Sequence, residues 1–308
     1  MSEVLGDDAL EDQDYDTYLE TYEPSELLTY STLDQYLNDP YVRHRLIGDS
    51  DSNSLVVRTA FESGKTKVMG RKELIERQYE YLVQQQPKWS AEFHDYLLSG
   101  GIPKRKISSF IDGVATLWVG PPADRQRSEL MLGVKASIRD FDHLNFPRTA
   151  GKFTLKPVAN ETEPFFTPEE MEIVFNANSG LIDAFLPDYI DALGWDGPSS
   201  VSDLYVRRGV RLNEAPAIRT ELHELSSYSL GVGTVEQFAQ LWRSDTKDGV
   251  SIIISAPLPA VQNRVVAFAP FIKQMSLEQM ELVLAPPVSK ILLEFQGEFS
   301  DISEYLFK

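Results

Sequence analysis

The chain has 308 residues, of which 42% are hydrophobic and 11% aromatic, so it can bury the core of one large or two ordinary domains. The absence of cysteine excludes disulfides, thiol catalysis and cysteine-ligated zinc, and a formal net charge of −18 argues against strong nonspecific binding to duplex nucleic acid. The sequence contains neither an apolar run of membrane-spanning length nor a secretory signal pattern. We therefore expect a protein that is cytoplasmic when made.

The acidic side chains are concentrated in residues 1–42. This segment holds 12 of the 47 aspartates and glutamates and no lysine or arginine, which is typical of a solvated, disordered leader. Tyr15, Tyr18, Leu19 and Tyr22 nevertheless have the spacing of one helical stripe. A partner or a basic patch could therefore order the leader.

Residues 43–150 are predicted to form a mixed, mainly helical domain of unknown role. The pattern predicts a β-hairpin over Ser54–Met69 and helices over Arg71–Gln86, Trp89–Leu98 and Ser128–Ile138. Ile107–Val119 fits either a helix or a strand. The prolines and glycine between residues 144 and 166 are typical of a connector, so we place a domain boundary near residue 150.

Residues 151–308 are predicted to form an α+β domain, because helices come first and separated strands follow. Thr167-Pro168-Glu169-Glu170 is a capping box with proline in the first turn. We expect helices to about Asn178, over Ser179–Leu193 with a bend or break at Pro187, and over Thr234–Arg243. The predicted strands are Leu204–Leu212, Val250–Ala256, Met280–Leu284 and Val288–Phe295.

Metal and hydrolase sites find no support in the sequence. The histidines His44, His94, His143 and His223 do not occur in a metal-binding spacing, and His223-Glu224 lacks a second histidine four residues on. No serine lies in a G-x-S-x-G nucleophile motif, so the sequence offers no candidate nucleophile for a hydrolase triad of that type. We therefore expect no metal.

An arginine next to a glycine stands out in "DLYVRRGVRL", residues 203–212. On a strand, Arg208 shares a face with Leu204, Val206 and Val210, and an inward arginine is unfavourable unless an anionic group meets it. Gly209 leaves room for a ligand to approach the backbone. An edge strand or an internal salt bridge would explain the same pattern.

Two further polar patterns follow. In "LSSYSLGVGTVEQFAQLW", a short strand carries the hydroxyls of Ser227 and Ser229 before a glycine-rich turn and a helix, although an ordinary capped turn would have the same sequence. In "SLEQMELVLAPP", the first residues fit a helix and the later ones a strand. Strand geometry places Gln279, Glu281 and Val283 on one face, so an amide and a carboxylate lie side by side.

The order Arg208-Gly209, Ser227-Tyr228-Ser229-Leu230, Gln279-Met280-Glu281 resembles the mono-ADP-ribosyltransferases of the arginine–serine–glutamate class. The segments "GVSIIISAPLP" and "MELVLAPPVSKILLEF" resemble the family's later strands, and the resemblance covers about residues 165–297. Tyr228 replaces the usual threonine, which leaves the register of the motif serine open. Gln279 replaces the usual glutamate, a variant that often accompanies acceptors other than arginine.

The resemblance implies two packed, mainly antiparallel sheets with preceding helices. It also implies transfer of ADP-ribose from NAD to a macromolecule, expected to be a protein, with release of nicotinamide, or NAD hydrolysis. It implies that Glu281 is catalytic with Gln279 and with Ser227, which would orient the Glu281 carboxylate. It also implies that Arg208, Gly209 and Ser229 bind NAD, which is the substrate, without a metal. Arg208 would meet the pyrophosphate. Phe268 and Phe271 would lie in the target-facing loop, either exposed for recognition or buried in the core.

Such transferases occur among bacterial toxins and phage proteins, so the resemblance also implies delivery into a host cell and a chaperone, immunity or delivery partner for residues 1–42. A different function stays open from the residues alone. The chain could be a non-catalytic viral or secreted structural or interaction protein with an acidic N-terminal arm. Nucleic-acid binding by residues 43–150 is a third hypothesis, and it predicts steeply salt-dependent binding.

Overall fold

The computed structural model describes residues 71–119, 128–148, 155, 158–192, 204–230, 235, 238–239, 249–277, 280–299 and 302–307. The predicted leader, the hairpin over 54–69 and Gln279 lie outside these residues. Within them, none of the helices has the length and apolar character needed to cross a membrane.

Within the described ranges, four long helices precede the strands. They are α1 Arg71–Ser99, α2 Lys104–Val119, α3 Glu129–Asn145 and α4 Pro168–Ala192. The capping box of α4 is confirmed, because Thr167 N donates to Glu170 Oε2 at 2.9 Å and Glu170 N donates to Thr167 Oγ1 at 3.2 Å. The ambiguous segment over 107–119 is helical, and its buried Ile107, Phe110 and Val114 have helical spacing.

Two predicted helix breaks are wrong. Helix α1 continues through Pro87, and α4 continues without a break from Asn178 to Ser179 and on through Pro187. A proline inside a helix removes one hydrogen bond, but packing on both sides of it can hold the helix together. Trp89 follows Pro87 closely and makes an edge contact with Phe185, which precedes Pro187, at a ring-centroid distance of 5.5 Å.

The described strands form one eight-stranded, mixed and mostly antiparallel sheet, so the α+β class is confirmed. The strands are β1 Tyr205–Leu212, β2 Arg219–Thr220, β3 Ser226–Ser229, β4 Val250–Pro257, β5 Val265–Phe268, β6 Glu281–Leu284, β7 Ile291–Phe299 and β8 Ile302–Phe307. A short helix, α5 Leu258–Val261, follows β4.

The strand order is β2-β7-β8-β4-β1-β3-β6-β5, so the expectation of two separate packed sheets is wrong for these strands. The reason is β8, which the sequence did not predict. It pairs in parallel with β4 and antiparallel with β7, and thereby joins the two groups of strands.

The core between the helices and β5 is rich in aromatic rings. Phe268 and Phe271 are both 0% exposed, and their rings meet at a centroid distance of 5.0 Å. Phe271 also packs against Trp89 and Phe93 of α1. The exposed, target-facing alternative for Phe268 and Phe271 is therefore wrong, because their apolar area closes the contact between α1 and the strand layer.

Candidate active site

A serine and a glutamate meet where β3 and β6 pair. Ser229 lies directly opposite Glu281, and Ser227 lies opposite Val283. Directly opposed residues of an antiparallel pair share a face, and so do residues two apart on one strand. Ser227, Ser229 and Glu281 therefore lie on one face of the sheet, and Ser227 Oγ donates a hydrogen bond to Glu281 Oε1. This hydrogen bond is the contact through which Ser227 would orient Glu281, as expected from the sequence.

The backbone before Glu281 is unusual. Met280 has φ 44°, in the left-handed region that residues other than glycine seldom adopt, and its amide donates to Leu277 O at 3.2 Å. The turn ends there, and β6 begins at the next residue. The helix-like and strand-like halves of "SLEQMELVLAPP" thus meet at Met280. Strained backbone of this kind is often found beside functional residues.

The double arginine of β1 divides between the two faces of the sheet. Arg207 lies opposite Ser229, so it shares the face of Glu281. Arg208 points to the other face, where its Nη1 donates to Ser226 Oγ. The expected face of Arg208 with Val206 is confirmed by the register of β1 against β4. The cation in line with the Ser227–Glu281 pair is therefore Arg207, not Arg208.

Arg207 belongs to a row of buried polar side chains that crosses the sheet. It is 0% exposed, and its Nε lies 3.6 Å from Oε1 of Glu304 on β8. Glu304 Oε1 also accepts a hydrogen bond from Ser255 Oγ, and Ser255 lies opposite Arg207. Sequence reasoning missed both charged members of this row. The doubled arginine was the one signal for Arg207, and Glu304 had none because β8 was not predicted.

The absence of a side chain at Gly209 allows the backbone of a neighbouring helical segment to pack closely against β1. A Cβ at this position would lie 2.7 Å from Ala239 N and closer still to the Val235 carbonyl oxygen. Val235, Phe238 and Ala239 are helical, as expected for the segment after the serine strand. The face on which a side chain would stand is thus occupied by that helical backbone. Any ligand contact of Gly209 is left to its main-chain atoms.

The position of the pair suits a reaction at the edge of the core. Glu281 is 8% exposed and Ser229 6%, and Ser227 is half-buried. A carboxylate with so little water around it interacts more strongly with a charge that develops beside it. Among the residues that the structure describes, no group of three or more histidine, aspartate or glutamate side chains could hold a metal ion.

Comparisons of the chain with protein-family models, with curated proteins and with solved structures found no match.

Proposed function

We propose that this protein cleaves NAD and transfers ADP-ribose to a macromolecular target, with Glu281 as the catalytic carboxylate and an ADP-ribosyltransferase-like fold over about residues 165–297. The observation that carries the proposal is the hydrogen bond from Ser227 to Glu281. The resemblance pairs these two residues across 54 positions of sequence, and they lie on one sheet face.

The chemistry requires a fixed negative charge. The bond between ribose C1′ and the nicotinamide nitrogen breaks, and its electron pair leaves with nicotinamide. Positive charge develops on the ribose, as in glycoside cleavage. Glu281 stabilises this charge, and Ser227 holds the carboxylate in one orientation. The acceptor then forms a bond to C1′ and loses its proton, or water takes its place and NAD is hydrolysed.

Arg207 has a positioning role in this proposal. It is fully buried and lies beside Ser229, which is directly opposite Glu281. Glu304 lies beside its guanidinium, so the positive charge of Arg207 is held on the sheet face that carries Glu281. The contact between Arg208 and the pyrophosphate, expected from the resemblance, is not part of the proposal because the Arg208 side chain lies on the opposite face.

Release of nicotinamide from NAD by the purified full chain tests the proposal. We expect turnover by the wild type and a loss of about a hundredfold or more in Glu281→Gln, which keeps the shape of the side chain and removes its charge. The matched control is Glu294→Gln, which makes the same change at an exposed position of β7 and should leave the rate unchanged.

Equal rates in the wild type and Glu281→Gln would exclude Glu281 as the catalytic carboxylate. An absence of NAD binding by the wild type in calorimetry would remove the proposal as a whole. If turnover is present, labelled NAD with candidate protein targets separates transfer from hydrolysis, because only transfer leaves the label on protein.

A further inference from the structure

Five neighbouring strands of the sheet each place a buried polar side chain on the face that carries Glu281. In the strand order β8-β4-β1-β3-β6, these side chains are Glu304, Ser255, Arg207, Ser229 and Glu281. The last four stand directly opposite one another from strand to strand, and Glu304 stands opposite Ile253, two residues from Ser255 on the same face. Arg207 therefore lies at the centre of the row, with a buried carboxylate at either end.

The two ends of the row are built alike. Ser227 Oγ donates to Glu281 Oε1, and Ser255 Oγ donates to Glu304 Oε1. The Glu304 oxygen that accepts from Ser255 also lies 3.6 Å from Arg207 Nε. Ser255 is 0% exposed and Glu304 3%, so this contact is made away from bulk solvent. The hydroxyl of Ser255 thus orients Glu304 towards the arginine.

Arg207 can act on both carboxylates. It is separated from each by one intervening strand, which corresponds to about 10 Å between the backbones on either side. A charge that is fully buried interacts with its neighbours more strongly than one in water. The more closely the guanidinium pairs with Glu304, the less of its charge neutralises Glu281.

We propose that Glu304 is a positioning residue that competes with Glu281 for Arg207 and so preserves the negative charge of Glu281 for the reacting ribose. It acts through Arg207 rather than on NAD itself. The inference rests on the proposed function, because it takes Glu281 as the catalytic carboxylate. Loss of the Glu304 charge transfers the attraction of Arg207 to Glu281, and a carboxylate that is paired with an arginine stabilises a developing positive charge less.

Nicotinamide release by the purified full chain tests the competition. We expect Glu304→Gln to lower kcat by about tenfold and to change KM for NAD by less than about twofold, because NAD still meets the same side chains. Adding Arg207→Met to Glu304→Gln removes the competing charge and should raise kcat at least about threefold above that of the single variant. The matched control is Glu294→Gln at an exposed position of β7, which should have the wild-type kcat.

Ser255→Ala provides a milder variant that keeps all three charges and removes only the hydrogen bond to Glu304. We expect it to lower kcat by about threefold. The control is Ser251→Ala, which changes a buried serine of the same strand outside the row and should leave kcat unchanged. All rates are measured at a temperature where circular dichroism shows the variants folded. Wild-type kcat in both Glu304→Gln and Ser255→Ala would overturn the proposal, and so would a double variant no faster than Glu304→Gln.

Unfolding in urea tests the competition without any activity. Arg207→Met and Glu281→Gln are made singly and together, once in the wild type and once in Glu304→Gln. We expect the coupling between positions 207 and 281 in the unfolding equilibrium to increase by about tenfold when the Glu304 charge is absent. An unchanged coupling would overturn the competition. Failure of the wild type to release nicotinamide would instead remove the proposed function, which the unfolding cycle does not test.

Discussion

The Ser227 hydroxyl donates its hydrogen bond to the Glu281 carboxylate from a neighbouring strand, across 54 residues of sequence. The two positions are diagonal neighbours in the pairing of β3 with β6, since Ser229 stands directly opposite Glu281. A glutamate has several rotatable bonds, and one hydroxyl at a fixed strand position removes much of that freedom. The relationship therefore predicts separate effects for the serine and for the glutamate.

Ser227→Ala should lower kcat for nicotinamide release by about tenfold while KM for NAD changes little, because the serine acts through Glu281. Steady-state kinetics with the purified variant measure both constants. The matched control is Ser303→Ala, a half-buried serine of β8, which should have wild-type kinetics. A rise in KM at unchanged kcat would instead mean that Ser227 contacts NAD directly.

The arginine of the site should be identified by the face on which it lies. Arg207→Lys keeps a positive charge but loses the planar guanidinium beside Glu304, so we expect kcat/KM to fall by about tenfold. Arg208→Lys, on the opposite face, should change kcat/KM by less than about twofold. Both rates are measured at a temperature where circular dichroism shows the variants folded.

The reverse order of effects would restore the expectation taken from the sequence, in which Arg208 meets the pyrophosphate. Equal effects of the two substitutions would show that the register of β1 against β3 does not divide the two arginines functionally.

Patterns that depend on near neighbours could be predicted from the sequence. The capping box of α4 requires only residues 167–170, β4 follows from a short apolar run, and β1 follows from the alternation of aliphatic residues along it. The serine–glutamate pair was accessible because the order of three motifs, rather than the spacing of one, pointed to it. Each of these signals is local or is carried by the chain order.

Other features of the fold and of the site depend on contacts between distant residues, which cannot be inferred from the order of motifs along the chain. The face of Arg207 follows from its pairing with Ser229, and a strand pattern alone cannot say which face becomes the site. The helices continue through Pro87 and Pro187 because aromatic packing outweighs local preference. A phenylalanine such as Phe271 fits the sequence of a recognition loop as well as that of a core. Only its contacts with Trp89 and Phe93 show that it belongs to the core.

Gly209 should be intolerant of any side chain. Gly209→Ala forces a Cβ into the backbone of the helical segment at Val235 and Ala239, so we expect unfolding in urea to show a loss of about 1–3 kcal/mol. The matched control is Gly180→Ala in α4, where an added Cβ meets no atom within 4 Å and helix propensity should stabilise the protein by up to about 1 kcal/mol. Unchanged stability of Gly209→Ala would show that this helical segment does not pack on β1 as closely as described.

The turn after Phe271 contains a removable strain at Gln274. This exposed residue has φ 74°, a left-handed conformation that glycine adopts without steric penalty. We expect Gln274→Gly to raise the free energy of unfolding by about 1 kcal/mol in urea titrations, and Gln274→Val to lower it, because a β-branched residue tolerates this region poorly. The control is Lys273→Gly at the exposed preceding position, which is not among the residues of positive φ and should be destabilised by the added chain entropy. A loss of stability in Gln274→Gly equal to that in Lys273→Gly would contradict the left-handed turn.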